Sequence, residues 1–340
     1  MASKSRSKLR LSFLVERAKA ANLPRVWRMA THIGKKFRKP RAGVFLDMVY
    51  SAVRYECAFQ DYQDWDFAIL SPRERRSFIT HPISDHYARR FNTDRAANKK
   101  LSNKLTFNKE FAEFTRRAWL DLRDATDDEL HDFLEANPVI MAKVPDSLGG
   151  DGIAKIDSSR YGSIKEFRAE RVRSRQLLLE EFISQHEELN RLNASSVNTM
   201  RIVSFNRGGH VSIICAALRI GAGGDVDNFS GGGMYTMLNH DGVVEHPAFD
   251  GEDRIHAIHP ISGVPIVGFQ VPQFNEAIEL VNNAAGTIPE VPYVGWDIAI
   301  SDKGPVIIEG NYNTGVFQLK PSVSDVRHGL RQRYREVIGE

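Results

Sequence analysis

Residues 296–311, WDIAISDKGPVIIEGN, constrain the fold more than any other stretch of this chain. Two β-type apolar runs flank Asp302-Lys303-Gly304, the composition of a three-residue hairpin loop with glycine at its left-handed position. With Ser301 and Pro305 closing that loop, counting outward sets Asp297 opposite Glu309. Side-chain alternation puts Asn311 on the same face as Glu309. Directly opposed residues hold their Cβ atoms roughly 4.5–5.5 Å apart, and like charges there repel. Something must compensate the two carboxylates. A hard divalent cation does so: Mg²⁺ takes oxygen ligands, typically one or two carboxylates together with substrate phosphates. Asp297, Glu309 and the Asn311 amide oxygen form one such face. Two other readings compete, a polar face that merely meets water and a carboxylate pair for acid–base work. Ile298, Ile300, Val306 and Ile308 imply a packed sheet beneath the hairpin, against the first. The second lacks a paired histidine or nucleophile nearby in sequence.

A carboxylate-held Mg²⁺ predicts a nucleotide, so the chain should also offer cations and backbone donors. MAKVPDSLGGDGIAKI, residues 141–156, places Lys143 on a strand ahead of Gly149, Gly150 and Gly152, a loop able to approach phosphates closely. It is not a Walker A loop, because no Gly-Lys-Ser/Thr opens a helix. An ordinary glycine turn is the competing reading. The next strand, in LLLEEFISQHEEL, can bind adenine through the backbone at Glu181, Phe182 and Ile183, with Glu187 reaching a ribose; a Glu-rich surface turn reads equally well. Arg201 and Arg219 lie on strands among apolar residues, and a half-buried arginine needs an anionic partner. A polyphosphate, a reacting carboxylate or a structural carboxylate would each serve. Asn228 and Gly231–Gly233 follow Arg219 and are placed to shape an acceptor side. His240, His246, His256 and His259 flank that half and read first as structural.

The charge is unevenly spread. Residues 1–41 hold thirteen basic side chains and one acid, a formal +12, whereas the whole 340-residue chain carries only +3. Clustered Lys and Arg gain energy near phosphates, so an anionic membrane surface or a polyanion is the expected partner of this arm if it is not simply a solvated helix. No nucleic-acid motif accompanies it, and nucleic acid is not an expected partner. The two cysteines, Cys57 and Cys215, exclude a disulfide scaffold and a Cys-rich zinc site. No apolar run approaches the roughly 20 residues of a membrane helix, and Leu11–Val15 is too short for a signal-peptide core. The expected compartment is the cytoplasm.

Five segments follow: the basic arm 1–41, a helical region 42–100, a small lobe 101–185, a large lobe 186–321 with the metal hairpin, and a helical tail 322–340. Within 42–100, Phe45, Val49, Val53, Tyr55, Phe59, Tyr62, Trp65 and Phe67 are expected in a core. Phe107, Phe111, Phe114 and Ala118 fall on one stripe of an amphipathic helix. Thr126-Asp-Asp-Glu129 is a capping box opening a second helix, which Pro138 closes before the strand VIMAKV. Helices followed by short strands make an α/β chain built of α+β lobes.

The order Lys104, Lys143, glycine loop, Glu180-Glu-Phe-Ile, Arg201, Arg219, Asn228, Asp297 and Glu309-Gly-Asn311 resembles the ATP-grasp proteins. Within them it is most similar to the sugar-transfer-associated subgroup. NTMRIVSF, ALRIGAGGDVDNFSGGG, HPISGVPIVGFQVP and GWDIAISDKGPVIIEGN are its most specific pieces, and the resemblance covers about residues 44–321. It implies two lobes with ATP between antiparallel sheets, after a helical N-terminal region. It also implies Lys104 and Lys143 on phosphates and the 149–152 loop over them. Glu180, Phe182 and Ile183 would hold adenine, Glu187 the ribose, and Asp297, Glu309 and Asn311 Mg²⁺. The implied reaction is carboxylate–amine ligation through an acyl phosphate, on a small carboxylic acid and an amine or other nucleophile, in surface-polysaccharide or specialised-metabolite assembly. A phosphotransferase that stops after phosphorylation, or a non-catalytic nucleotide- or polyanion-binding module, are the alternatives. Two residues before the metal aspartate, D-alanine ligases have an arginine where this chain has Gly295. Arg201 and Arg219 are the candidates to replace it.

Overall fold

The computed structural model describes residues 22–147, 152–223 and 232–339. They fall into two compact units, one drawn from Met1–Asp85 with Gln318–Gln332 and one from His86–Phe317 with Arg333–Glu340.

The first unit is helical. Helix α1 (Leu23–Lys36) starts where the Asn22 side chain accepts from the Arg25 amide, with proline in its first turn, and ends with Lys35 and Lys36 near the negative end of its dipole. Helix α2 (Arg41–Tyr55) follows, and the two pack together through Trp27 and Phe45, edge to face at 5.5 Å. The short helices Phe59–Asp64 and Pro72–Arg75 complete a core around Tyr55, Tyr62, Trp65, Phe67 and Phe78. Arg75 grips Asp47 with two hydrogen bonds of 2.7 and 2.6 Å, and the Tyr62 hydroxyl donates to the same carboxylate at 2.6 Å. Buried Lys320 donates to the Gln63 and Asp64 carbonyls. The expectation that Val49 and Val53 are core does not hold. The buried face of α2 is Val44, Met48, Ser51 and Tyr55, while Val49 and Val53 are 39% and 56% exposed. Residues 49 and 53 lie on the far side of a 3.6-residue turn from that face.

The second unit holds two sheets in which every described pairing between strands is antiparallel. The smaller has the order β1-β4-β2-β3, from β1 (Trp119–Asp121), β2 (Val139–Lys143), β3 (Ala154–Asp157) and β4 (Leu178–Glu181). The larger has the order β11-β10-β5-β6-β7-β8-β9. Its strands are β5 (Thr199–Arg207), β6 (His210–Ile220), β7 (Met234–Leu238), β8 (Ala248–Asp250), β9 (Ile255–His256), β10 (Tyr293–Ser301) and β11 (Gly304–Asn311).

Ahead of the small sheet lies α3 (Lys104–Glu110), capped by the Asn103 side chain. The phenylalanine stripe is buried as its spacing predicts, but it is not one helix. The chain breaks at Phe111, makes a single turn over Ala112–Thr115, and leaves it at Arg116 in a left-handed conformation. Ala118 is already extended toward β1, and Arg117 is thereby aimed inward. Helix α4 (Asp127–Ala136) begins at the reciprocal Thr126–Glu129 capping box and packs with α5 (Ile164–Arg173) on the small sheet around Leu130, Leu134, Ile140, Phe167 and Leu179. Helix α6 (Glu187–Leu192) leads into the large sheet, and α7 (Phe274–Gly286) covers one face of it with Ala277, Leu280, Val281 and Ala284.

The hairpin differs from expectation by one residue at its tip. Ser301 pairs with Gly304 around a two-residue Asp302-Lys303 loop, not with Pro305. A β-bulge at Ile308 takes up the difference, so that Ile298 pairs with Ile307 while Asp297 still faces Glu309.

Candidate active site

Two adjoining cavities of about 130 and 340 Å³ lie between the sheets of the second unit. The first is lined by Lys104, Lys143, Glu180, Glu181, Phe182, Ile183, Arg219, Asp297 and Glu309, which the sequence singles out, together with Met141, Ile153, Lys155, Thr199 and Ile308. Asn311 lines the second beside Glu309. Arg201 stands behind Asp297, outside both linings. Glu187 is exposed at the start of α6 and belongs to neither. Gly149, Gly150 and Asn228 lie outside the described residues. Gly152 is described, at φ +73, where an added Cβ would meet Val144 at 2.6 Å.

At the phosphate-side end, Glu180 is 3% exposed and its carboxylate is saturated. It pairs with Lys143 Nζ at 2.5 Å and with Arg117 at 3.0 Å, and accepts from Asn108 Nδ2 at 2.6 Å. Burial alone would raise its pKa, but the two cations and the amide outweigh that and hold it far below the usual carboxylate range. The Glu180 carboxylate therefore positions Lys143. Lys104 Nζ donates to the Ser147 carbonyl, and burial together with nearby Lys143 lowers its pKa.

The chain leaving β4 passes Phe182 and Ile183 just beyond the end of the sheet ladder. It is then fastened to the hairpin, where the Asp302 amide donates to Ser184 O and the His186 amide to Ile300 O, each at 2.9 Å. Lys155 Nζ sits 4.1 Å from the centre of the Phe182 ring. The Glu181 side chain accepts from the Ala118 amide at 3.0 Å, so it supports the edge of the sheet.

At the hairpin end, Asp297 is 2% exposed and is held by Arg201 Nε, by Arg201 NH2 at 3.1 Å and by Arg219 NH2 at 2.9 Å. Arg201 also donates to Thr314 O, and Arg219 to Thr199 Oγ1. Burial would raise Asp297, but the two guanidinium groups hold it below its ordinary value. Glu309 goes the other way, pushed up by burial and by the adjacent Asp297, whose carboxyl it contacts. Asn311 Nδ2 donates to Glu309 Oε1 at 3.4 Å. Gly295 has a clear packing reason. A Cβ there would lie 3.1 Å from both Arg201 Cδ and Thr314 Cβ, so the glycine makes room for Arg201 to cross β10.

This donor set fits a hard divalent cation. It offers oxygen ligands only, and Arg201 and Lys143 offset the buried charge of Glu309 only in part. Cation binding requires the Asn311 amide to turn its oxygen inward. Among the described residues no group of three His, Cys, Asp or Glu forms another candidate metal site. His256 bonds Asp250 and His259 bonds Gly221 O, both structural roles. Cys57 and Cys215 are buried thiols, and burial pushes Cys215 up to about 12, far from a thiolate nucleophile.

Sequence reasoning misses Arg117 and Asn108. Arg117, its side chain 3% exposed, donates to the Ile307 carbonyl at 2.9 Å and the Ile308 carbonyl at 3.2 Å as well as to Glu180. It thus joins the bulge of the large sheet to the acid of the small one. The only signal for it in the sequence was an arginine two residues before a strand.

Several solved structures are distantly similar. D-cycloserine synthetase DcsG matches at 12% identity and a TM-score of 0.41, covering 76% of each chain. ATP-grasp ligase PsnB, solved with a minimal precursor, Mg and ADP, matches at 14% and 0.40, covering 83% of this chain and 74% of its own. D-alanine–D-alanine ligase from Coxiella burnetii matches at 9% and 0.39, covering 66% and 52%. Such distant likenesses carry neither substrate nor mechanism to this chain. No curated protein matches the sequence. The model of the family described as sugar-transfer associated ATP-grasp matches residues 134–336, more than half of the chain. By that match, this chain belongs to the sugar-transfer associated ATP-grasp family.

Proposed function

We propose that the chain is an ATP- and Mg²⁺-dependent ligase that activates a carboxylic acid as an acyl phosphate and joins it to an amine or related nucleophile. The observation that carries this reading is the pair of apposed carboxylates, Asp297 paired with two arginines and Glu309 with no direct ion pair and a raised pKa, in a cavity that Lys104 and Lys143 also line. Phosphoryl transfer asks for positioning and charge neutralisation more than for a protein nucleophile, and these residues supply both.

Lys143, fixed by Glu180, and Lys104, fixed by Ser147, present ammonium groups to the phosphates. Backbone groups past β4, at Phe182 and Ile183, receive the adenine. Arg219 lines the cavity and is the arginine placed to reach the transferred phosphoryl group; Arg201 serves by holding Asp297. When bound, Mg²⁺ neutralises phosphate oxygens, and Glu309, Asn311 and Asp297 would hold it. In the first step an oxygen of the substrate carboxylate attacks the γ-phosphorus, the bond to the β-phosphate oxygen breaks, and ADP leaves. In the second the amine nitrogen attacks the acyl carbon, phosphate leaves, and the nitrogen loses a proton. Acceptor specificity would come from the 221–275 segment, and the substrates belong to polysaccharide or specialised-metabolite assembly.

The test is an ADP-release screen of candidate acids with hydroxylamine present. A ligase yields a hydroxamate; a phosphotransferase yields ADP and a stable phosphoproduct without hydroxamate. Absence of any thermal shift with ATP and Mg²⁺, unchanged in Asp297→Asn, would sink both in favour of an inert binding module.

A further inference from the structure

The outward side of the helical unit carries an amphipathic design that the nucleotide chemistry does not use. On α2, Leu46, Val49, Tyr50 and Val53 are 67%, 39%, 54% and 56% exposed. At about 100° per residue they form one stripe diametrically opposite the buried Val44, Met48, Ser51 and Tyr55. Four apolar side chains at such spacing are a second hydrophobic face on a helix that already has one. On α1, packed alongside, the direction facing away from buried Val26, Ala30 and Ile33 is occupied by Arg25, Arg28 and Lys35, all exposed. Trp27, 38% exposed, stands between the two helices, touching Phe45 and lying under the Arg41 guanidinium at 5.2 Å.

The charge around this stripe is mostly basic, with Glu56 an exposed acid just past the end of α2. Residues 22–41 contain seven basic side chains and no acid. Asp47, the acid nearest on α2, is turned inward and neutralised by Arg75. A second copy docking face to face would bring two such basic fields together, which is unfavourable. An anionic bilayer complements both features at once, since aliphatic and aromatic side chains enter the headgroup boundary while flanking Lys and Arg meet lipid phosphates.

We propose that the exposed α2 face with the basic side of α1 is a docking surface for an anionic phospholipid membrane, the helices lying in the interface rather than crossing it. No helix among the described residues is long and apolar enough to span a bilayer, which agrees with an interfacial seat.

The test is flotation of the full chain with vesicles of phosphatidylcholine alone or with about a quarter phosphatidylglycerol. The expected result is partitioning at least about tenfold stronger on the anionic vesicles. Leu46→Asp/Val53→Asp and, separately, Arg25→Glu/Arg28→Glu/Lys35→Glu should each lower it by about tenfold or more. Leu46→Ser/Val49→Ser is a gentler second apolar variant, and melting curves report whether each protein is folded. The ATP- and Mg²⁺-induced thermal shift should be unchanged in all of them, which separates this proposal from the fate of the ligase reading. Three results would overturn it: no vesicle binding by the wild type; anionic binding that both apolar variants retain in full, assigning it to basic charge alone; or a lipid-free dimer that Leu46→Asp/Val53→Asp dissociates, assigning the face to a second copy.

Discussion

Glu180 and Glu309 are acids of one site, yet their surroundings treat them in opposite ways. Glu180 receives two cations and an amide and is driven far down the pKa scale. Glu309 is driven up by burial, and its aspartate neighbour adds to the rise. The first carboxylate is finished by the protein itself and acts as scaffold. The second has its charge offset only in part, by Arg201 and Lys143, and a group so placed points to a ligand that is not protein. Both acids are drawn to the cavity by sheet geometry, so burial alone could not have told scaffold from ligand site. The difference lies in who supplies the counter-charge.

The hardest test of this contrast is removal of the unfinished acid. Glu309→Gln should lower ADP release by roughly 10²–10³-fold while leaving the fold intact, as expected for losing transition-state charge stabilisation. A loss below tenfold, measured at saturating Mg²⁺, would remove Glu309 from the machinery. Removing the partner of the finished acid should act on stability instead. Arg117→Met leaves Glu180 buried with fewer counter-charges and should cost about 3–5 kcal/mol in denaturant unfolding. The double variant with Glu180→Gln should recover part of that loss, and no recovery would mean that Arg117 acts through the bulge carbonyls alone.

Gly295→Ala probes the room made for Arg201. Pressing a methyl group against Arg201 and Thr314 should cost about 1–3 kcal/mol, read as a lower melting temperature, and weaken activity along with it. Titration gives a smaller and opposed pair of effects. Glu309 has a raised folded-state pKa, so metal-free protein gains stability from its protonation as pH falls toward that value and loses it as pH rises through it. Glu180 is depressed, so its contribution is present above its unfolded value and is lost only as pH falls well below it. Melting temperature in chelator should therefore rise as pH is lowered from neutral into the weakly acidic range, and Glu309→Gln should flatten the rise. Mg²⁺ affinity, which competes with the same proton, should fall over that range. The smallest expected effect is that of Glu187→Ala. An exposed side chain outside both cavities should leave ATP affinity within about twofold by calorimetry, and a larger loss would restore the ribose role that the resemblance implies.

Much of this was legible in the primary structure because it is local. The capping box at Thr126–Glu129, the strands carrying Arg201 and Arg219, and the apposition of Asp297 with Glu309 all follow from short-range pattern. The hairpin reading reached the correct pair by way of a tip that is one residue too long, because the bulge at Ile308 shifts the register by the same amount. Turn chemistry predicts a loop but not a bulge whose carbonyls are held by an arginine from far away in sequence. Arg117 was hidden for a related reason. The spacing of Phe107, Phe111 and Phe114 is helical, and nothing in that period shows the chain turning at Arg116. The outward face of α2 was misread because a helix with two apolar faces looks, in sequence, like a helix with one wide one. Which anion Arg201 and Arg219 would meet was open until three-dimensional neighbours fixed it as Asp297.

The bulge at Ile308 also bears on how such a hairpin can vary over evolutionary time. Ile308 and Glu309 are consecutive and both line the cavity, at the point where the ladder of β10 and β11 is irregular. A residue gained or lost in the turn need not propagate to Glu309, since the slip can be absorbed where the ladder is already irregular. A change in the length of the hairpin tip would thus leave the carboxylate pair opposed.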